Sequence, residues 1–170
     1  IPPGTRSGMA DTYHPTQIKY LLGDIERSST NKIIYISSTS VYPNNQQDAA
    51  ESDPLNPMDA TNRSILLAEE VLMNNQVFQT TILRCGGLMG YDRIPGKYFA
   101  GEKNIKTAKV PVNYVHRDDV IAIVQEVIRQ NAWDKIFNVV APKHPTRKEV
   151  YLKNASLFGF EAPTFDENAD

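Results

Sequence analysis

Cysteine is almost absent from this 170-residue chain. The single thiol, Cys85, excludes an intrachain disulfide framework and any multi-cysteine zinc site. Histidine is nearly as scarce: His14, His116 and His144 are far apart, and none stands at i, i+4 or beside a cysteine, so no metal site is expected. No apolar run approaches the roughly 20 residues that cross a bilayer, and no charged-then-apolar leader opens the chain. No charge bias exists either. Eighteen Lys+Arg against 20 Asp+Glu give a formal net charge of −2, which excludes a generally basic, nucleic-acid-coating protein. No basic stripe interleaved with aromatics and no Gly-x-Ser-x-Gly elbow appears. These absences point to a reduced, cytoplasmic compartment, with no nucleic acid and no membrane as partner.

What is present is the alternation of a parallel α/β fold. Ile18, Leu21, Leu22 and Ile25 follow His14-Pro15-Thr16 at i, i+3, i+4, i+7 and predict a helix. Lys32 to Ser37 is a β-branched run without strict alternation, as in a strand covered on both faces. Pro43 to Pro57 is a polar, turn-rich loop. A second helix is expected from about Asn62 to Met73 on Ile65, Ala68, Val71 and Leu72, and a strand at Thr80 to Arg84. The glycine-containing stretch Cys85 to Lys109 reads as mostly loop, of a length more often functional than idle. Val110 to Val115 reads as extended. Asp118 or Asp119 opens a third helix with Val120, Val124, Val127 and Ile128 on one face, and Ile136 to Val140 is a further strand. Thr146 and Glu149 have capping-box spacing and start a last helix that ends at Gly159.

Six collinear motifs carry a resemblance. Ile34-Tyr35-Ile36-Ser37-Ser38-Thr39-Ser40-Val41-Tyr42 resembles the strand and Ser-Ser-x-x-Val-Tyr-Gly segment of extended short-chain dehydrogenases, the NAD-dependent epimerase/dehydratase group that acts on nucleotide sugars. Glu51 to Pro57 resembles the loop before that family's catalytic helix, and Arg63 to Leu72 the helix itself. Thr81-Ile82-Leu83-Arg84 with Gly86 and Gly90, Val115-His116-Arg117-Asp118-Asp119-Val120, and Phe137-Asn138-Val139 are similar to three later motifs. The resemblance implies the second half of a Rossmann-type doubly wound parallel sheet. Residues 1–170 would form a single domain, the substrate-side, C-terminal part of an NAD(P)-binding fold.

By the same resemblance Ser38 and Tyr42 are the catalytic candidates, with Ser38 polarising a substrate oxygen. Pro2, Ser37, Cys85, Gly86 and Gly87 fall on the cofactor side. Arg93, Lys97 and Tyr91 fall where substrate is bound; Arg or Lys there can clamp an anionic group. The family's Tyr-x-x-x-Lys pair is missing. Its positions are Thr61 and Ile65, and no Tyr-x-x-x-Lys occurs anywhere in the chain. A Thr hydroxyl is too weak an acid to replace the phenol, and Ile carries no charge to depress a neighbour's pKa.

No Gly-rich dinucleotide turn is present either. The chain is therefore expected to be a fragment of a longer protein, with Ile1-Pro2-Pro3 at the end of an earlier strand. NAD or NADP would be held by the full-length protein, and weakly or not at all by these residues alone. A small-molecule substrate, and either the missing N-terminal half or a second copy of the chain, are the expected partners. Two functions stay open: an epimerase or dehydratase acting on a small hydroxylated metabolite, and a non-catalytic NAD(P)-binding sensor or scaffold.

Overall fold

A computed structural model describes residues 10–166, 168 and 169. Pro2 and the Ile1-Pro2-Pro3 strand end therefore lie outside the described residues. The chain divides into two compact units. The first comprises the described residues up to Gly86 together with Ala122–Val139; the second comprises Gly87–Ile121 and the described residues from Val140 onward.

The first unit is an α/β layer. Helix α1 (Tyr13–Ile25), strand β1 (Lys32–Ser38), helix α2 (Arg63–Met73) and strand β2 (Gln79–Cys85) follow in order, and strand β5 (Ile136–Val139) completes a sheet of order β1-β2-β5. Both pairings are parallel. β2 is central, and every residue of it except Gln79 is buried. This is why its sequence runs without alternation. The helices close one face: Ile18 and Leu22 of α1, Ala68 and Leu72 of α2 and Phe78 form a core, against which Ile33 and Tyr35 of β1 pack. Leu21 is 40% exposed, so the apolar stripe of α1 is narrower than its spacing suggests. α2 starts where Asn62 caps it, the side-chain oxygen accepting from Ile65 N at 3.3 Å. Leu66 and Glu69 are buried on its inner face beside Ala68 and Leu72.

The second unit is built on a short parallel pair, β3 (Gly87–Met89) and β4 (Tyr114–His116). The expected long loop thus holds a strand. Three residues flanked by glycines offer no periodicity to read, and the strand exists because Tyr114 lies against Gly87, where an added Cβ would stand 2.6 Å from the ring. The extended piece expected over 110–115 narrows to Tyr114–His116. Helix α3 (Arg117–Arg129) carries Asp118 and Asp119 in its first turn, as its acidic opening predicts, and runs on into the first unit. Of its expected apolar face Val127 is buried while Ile128 is 57% exposed. Helix α4 (Arg147–Phe158) has both halves of the Thr146–Glu149 capping box and ends at Gly159 in the left-handed conformation. The C-terminal segment lies along residues 101–105, bonded between Gly101 and Glu161 and between Ile105 and Thr164.

Candidate functional site

Parallel register places three polar side chains in one row. Ser37 of β1 pairs with Arg84 of β2, and Arg84 with Asn138 of β5. Partners across a parallel sheet share a face, so all three project toward the helices near the carboxyl ends of the strands, where open α/β sheets bind their ligands. Glu69 of α2 meets the row from above. Its carboxylate takes a forked pair of bonds from Arg84, Nε at 3.1 Å and Nη2 at 2.8 Å, and a third from the Ser37 hydroxyl at 2.5 Å. Arg84 Nη1 donates to Tyr42 Oη at 2.9 Å, and Tyr42 donates in turn to Asn138 Oδ1 at 2.8 Å. The Asn138 amide nitrogen reaches Ala49 O at 3.1 Å, and its backbone N–H reaches Glu51 at 2.7 Å. Arg84 and Glu69 are 4% and 2% exposed. Burial disfavours the guanidinium charge, but the bonds to Glu69 and Tyr42 outweigh it and raise its hold on the proton.

This network anchors a turn at both ends. Ser37 is tied to Glu69 and Tyr42 to Arg84; between them Thr39–Val41 forms a single 3₁₀ turn capped by Ser38. Ser38 Oγ accepts from Ser40 N at 3.1 Å and from Ser40 Oγ at 3.0 Å. The half-buried Ser38 hydroxyl thus uses its oxygen locally and keeps its own hydrogen to donate. Tyr42 is different. Its ring is buried with Val41 and Leu66, and its hydroxyl is held on three sides by Arg84, Asn138 and Ala50 O.

Thr61 precedes α2, outside the helix. Its hydroxyl donates to the Tyr42 carbonyl at 2.9 Å, and Ile65 packs against the Val41, Tyr42 and Leu66 cluster. Neither position supplies an acid or a cation. Beside them an open cleft of about 530 Å³ is lined by Asp11, Met58, Thr61, Asn62 and Arg63.

Of the residues expected near a cofactor, Ser37 gives its hydroxyl to Glu69, and Cys85 is buried at the end of β2 with its thiol pushed up to about 11 by burial. Gly86 N–H bonds Val139 O at 3.0 Å. Gly87 belongs to the second unit, where its missing side chain accommodates Tyr114.

The second unit holds the other candidates. Tyr91 is 63% exposed; its hydroxyl donates to Asp118 Oδ2 at 2.6 Å, Arg117 lies 4.4 Å over its ring, and His116 meets it edge-on. The bond to Asp118 raises the Tyr91 pKa, and the same bond lowers that of Asp118. His116 Nδ1 accepts from Asp118 N at 3.2 Å, so it caps α3. Arg93 and Lys97 are exposed.

Glu69 is the residue that sequence reasoning passed over. Its signal was a carboxylate one place from Ala68 on a helix face otherwise apolar, matched by an arginine inside the apolar run Thr81-Ile82-Leu83-Arg84-Cys85.

Sheet order, helical cover and the polar row at the strands' carboxyl ends define a Rossmann-like α/β fold, and solved structures share it. The dTDP-glucose 4,6-dehydratase DesIV from Streptomyces venezuelae, solved with NAD bound, superposes with a TM-score of 0.74 at 16% identity over 94% of this chain and 56% of its own. The UDP-glucuronic acid 4-epimerase from Bacillus cereus, solved with UDP-glucuronic acid and NAD, gives 0.70 at 16% identity over 89% and 53%. A functionally unknown conserved protein from Silicibacter pomeroyi gives 0.72 at 23% identity over 90% and 57%. In sequence the chain is similar to Protein YeeZ of Escherichia coli K12, with 34% identity over 168 residues, 99% of this chain and 61% of YeeZ. It thus spans less than two thirds of that relative's length. No family model matches it.

Proposed function

We propose that this chain is the substrate-side portion of a protein that binds NAD or NADP and acts on a small hydroxylated metabolite of the nucleotide-sugar kind, with Ser38 donating to the substrate's hydroxyl or carbonyl oxygen. The observation that carries this is the Ser38 turn. It sits at the carboxyl end of a parallel strand, is anchored on either side by one buried ion pair, and presents a hydroxyl whose hydrogen is uncommitted. A group so fixed can polarise an oxygen without the cost of ordering a mobile side chain. Tyr42 serves in this reading as the second anchor. The reading places the phosphate-binding turn in a longer parent protein, in keeping with a chain that spans 61% of the length of YeeZ.

The test uses that longer protein. NADH and NADPH binding are measured by fluorescence, then NAD(P) reduction and epimerisation across a nucleotide-sugar panel, for wild type and Ser38→Ala. The expected result is unchanged cofactor binding with turnover lower by about a hundredfold or more in the variant. Failure to bind either dinucleotide overturns the reading. For the 170 residues alone, calorimetry is expected to show weak or no NAD(P) binding.

A second reading, a non-catalytic NAD(P)-dependent sensor or scaffold, is favoured by Thr61 and Ile65. One hydroxyl is consumed by a backbone carbonyl and the other side chain is packed in a core. Tight cofactor binding with no turnover of any substrate selects it.

A further inference from the structure

The seam between α1 and α2 changes character toward its amino-terminal end. Just past the ends of both helices Asn75 Nδ2 donates to Glu26 Oε1 at 2.9 Å, so the two run side by side in one direction. Ile18 and Leu22 of α1 meet Ala68 and Leu72 of α2 in the apolar core between them. One turn back from Ile18 and Ala68 stand His14 and Ser64, 2% and 0% exposed. The last layer of the seam is therefore polar. His14 Nε2 lies 2.7 Å from Tyr35 Oη on β1, with the two rings stacked at 29°. The other imidazole nitrogen, Nδ1, is buried without a hydrogen-bond partner, as are Ser64 Oγ and, three residues along α1, Gln17 Oε1.

No counter-charge serves this layer. Tyr35 faces it from β1, and burial together with the charge of Glu69 holds the phenol's proton in place. Ser64 faces it from α2 and Gln17 lies along α1; both are neutral. The Glu69 carboxylate of α2 is taken by Ser37 and by the Arg84 guanidinium. Asp11 and Arg63 are exposed on the open cleft at the helix starts. An imidazolium at His14 would be a desolvated charge bonded to no carboxylate among the described residues, and burial lowers the His14 pKa accordingly. We propose that His14 is an acid-sensitive latch on α1. Neutral, it fastens the helix to β1 through Tyr35; protonated, it releases α1 from the sheet and from α2, uncovering the apolar face around Ile33, Ala68, Leu72 and Phe78. Above the ordinary imidazole value of about 6.5 the closed and open forms are both neutral and the latch is shut. Below it only the open form takes up the proton, so the open fraction rises by up to about tenfold per pH unit. The latch stands on these residues alone and does not require the NAD(P) reading.

Its test is amide hydrogen exchange of the 170-residue chain between pH 7.5 and pH 5.5, read as protection factors and repeated at low urea concentrations. The α1 amides are expected to exchange through an opening that depends less on urea than that of β2, the mark of a partial release. Their protection is expected to fall by about fivefold or more over that pH range in the wild type. The fall is expected to be largely absent in His14→Gln and intact in His144→Gln, an exposed histidine of the second unit. Opening of α1 with the same urea dependence as β2 overturns the proposal, as does a pH-dependent fall that survives in His14→Gln. If that variant fails to fold, Tyr35→Phe decides. It keeps both rings and removes the hydroxyl, so α1 protection is expected to drop by about fivefold already at pH 7.5, the loss of one hydrogen bond, and to keep its fall with pH. Unchanged protection in Tyr35→Phe refutes the fastening. NADH titration of the longer protein is a separate measurement, so this proposal and the NAD(P) reading fail independently.

Discussion

Glu69 and Arg84 show how much a single buried charge depends on its partner. Each has been taken out of water, and only their mutual bonds and those from Ser37 and Tyr42 offset that loss. Arg84→Met leaves a carboxylate buried and unpaired, and is expected to destabilise the chain by about 3–5 kcal/mol in urea unfolding. Arg84→Met combined with Glu69→Leu removes both charges, and recovery of most of that loss is expected. A double variant no more stable than the single one would show that the stranded carboxylate is not what destabilises Arg84→Met. His14 offers a second test at this scale. It is 2% exposed, with Nε2 2.7 Å from the Tyr35 hydroxyl, and burial lowers its pKa. Above its unfolded value of about 6.5 both states are neutral and its contribution is intact. As pH falls below that value the unfolded chain takes up a proton that the folded one refuses, so stability declines. Urea midpoints at pH 8 and pH 5.5 are expected to diverge more for wild type than for His14→Gln.

Among the elements, those with a local chemical cause were legible and those with a remote one were not. The capping box of α4 is spelled out in Thr146 and Glu149, and the helix begins there. α1 and α2 follow from apolar spacing, and β2 covers the strand expected at Thr80 to Arg84. β3 was hidden because its reason lies in Tyr114, more than 20 positions away, which needs the bare backbone of Gly87. Gly87→Ala is accordingly expected to cost about 1–3 kcal/mol, since the new methyl overpacks a filled space. Gly87→Ala with Tyr114→Leu is expected to regain part of it; hydrogen exchange of the β3 and β4 amides reads both. For the candidate site, Ser38 and the absence of a Tyr-Lys pair could be read directly. The Glu69–Arg84 network could not, because only strand register shows that Ser37, Arg84 and Asn138 are neighbours.

At the scale of the whole molecule the sheet order β1-β2-β5 leaves β1 paired on one side only among the described residues, and Ile36 on it is 45% exposed. A parallel edge of seven residues left unpaired among the described residues is a template for association. Sedimentation of the isolated chain is expected to show self-association that rises with concentration and falls in Ile36→Lys. A monomer at all concentrations, with high thermal stability, would count against it. The same sheet contains its own alignment key. If β2 slid by one residue against β1, Leu83 would stand opposite Ser37, and the guanidinium of Arg84 would turn to the other face, away from Glu69. Aliphatic strands such as these discriminate poorly between neighbouring registers, since one branched side chain substitutes for the next. The polar row makes every wrong register bury a naked charge, so the pair that anchors the Ser38 turn also selects the only strand alignment in which that turn can exist.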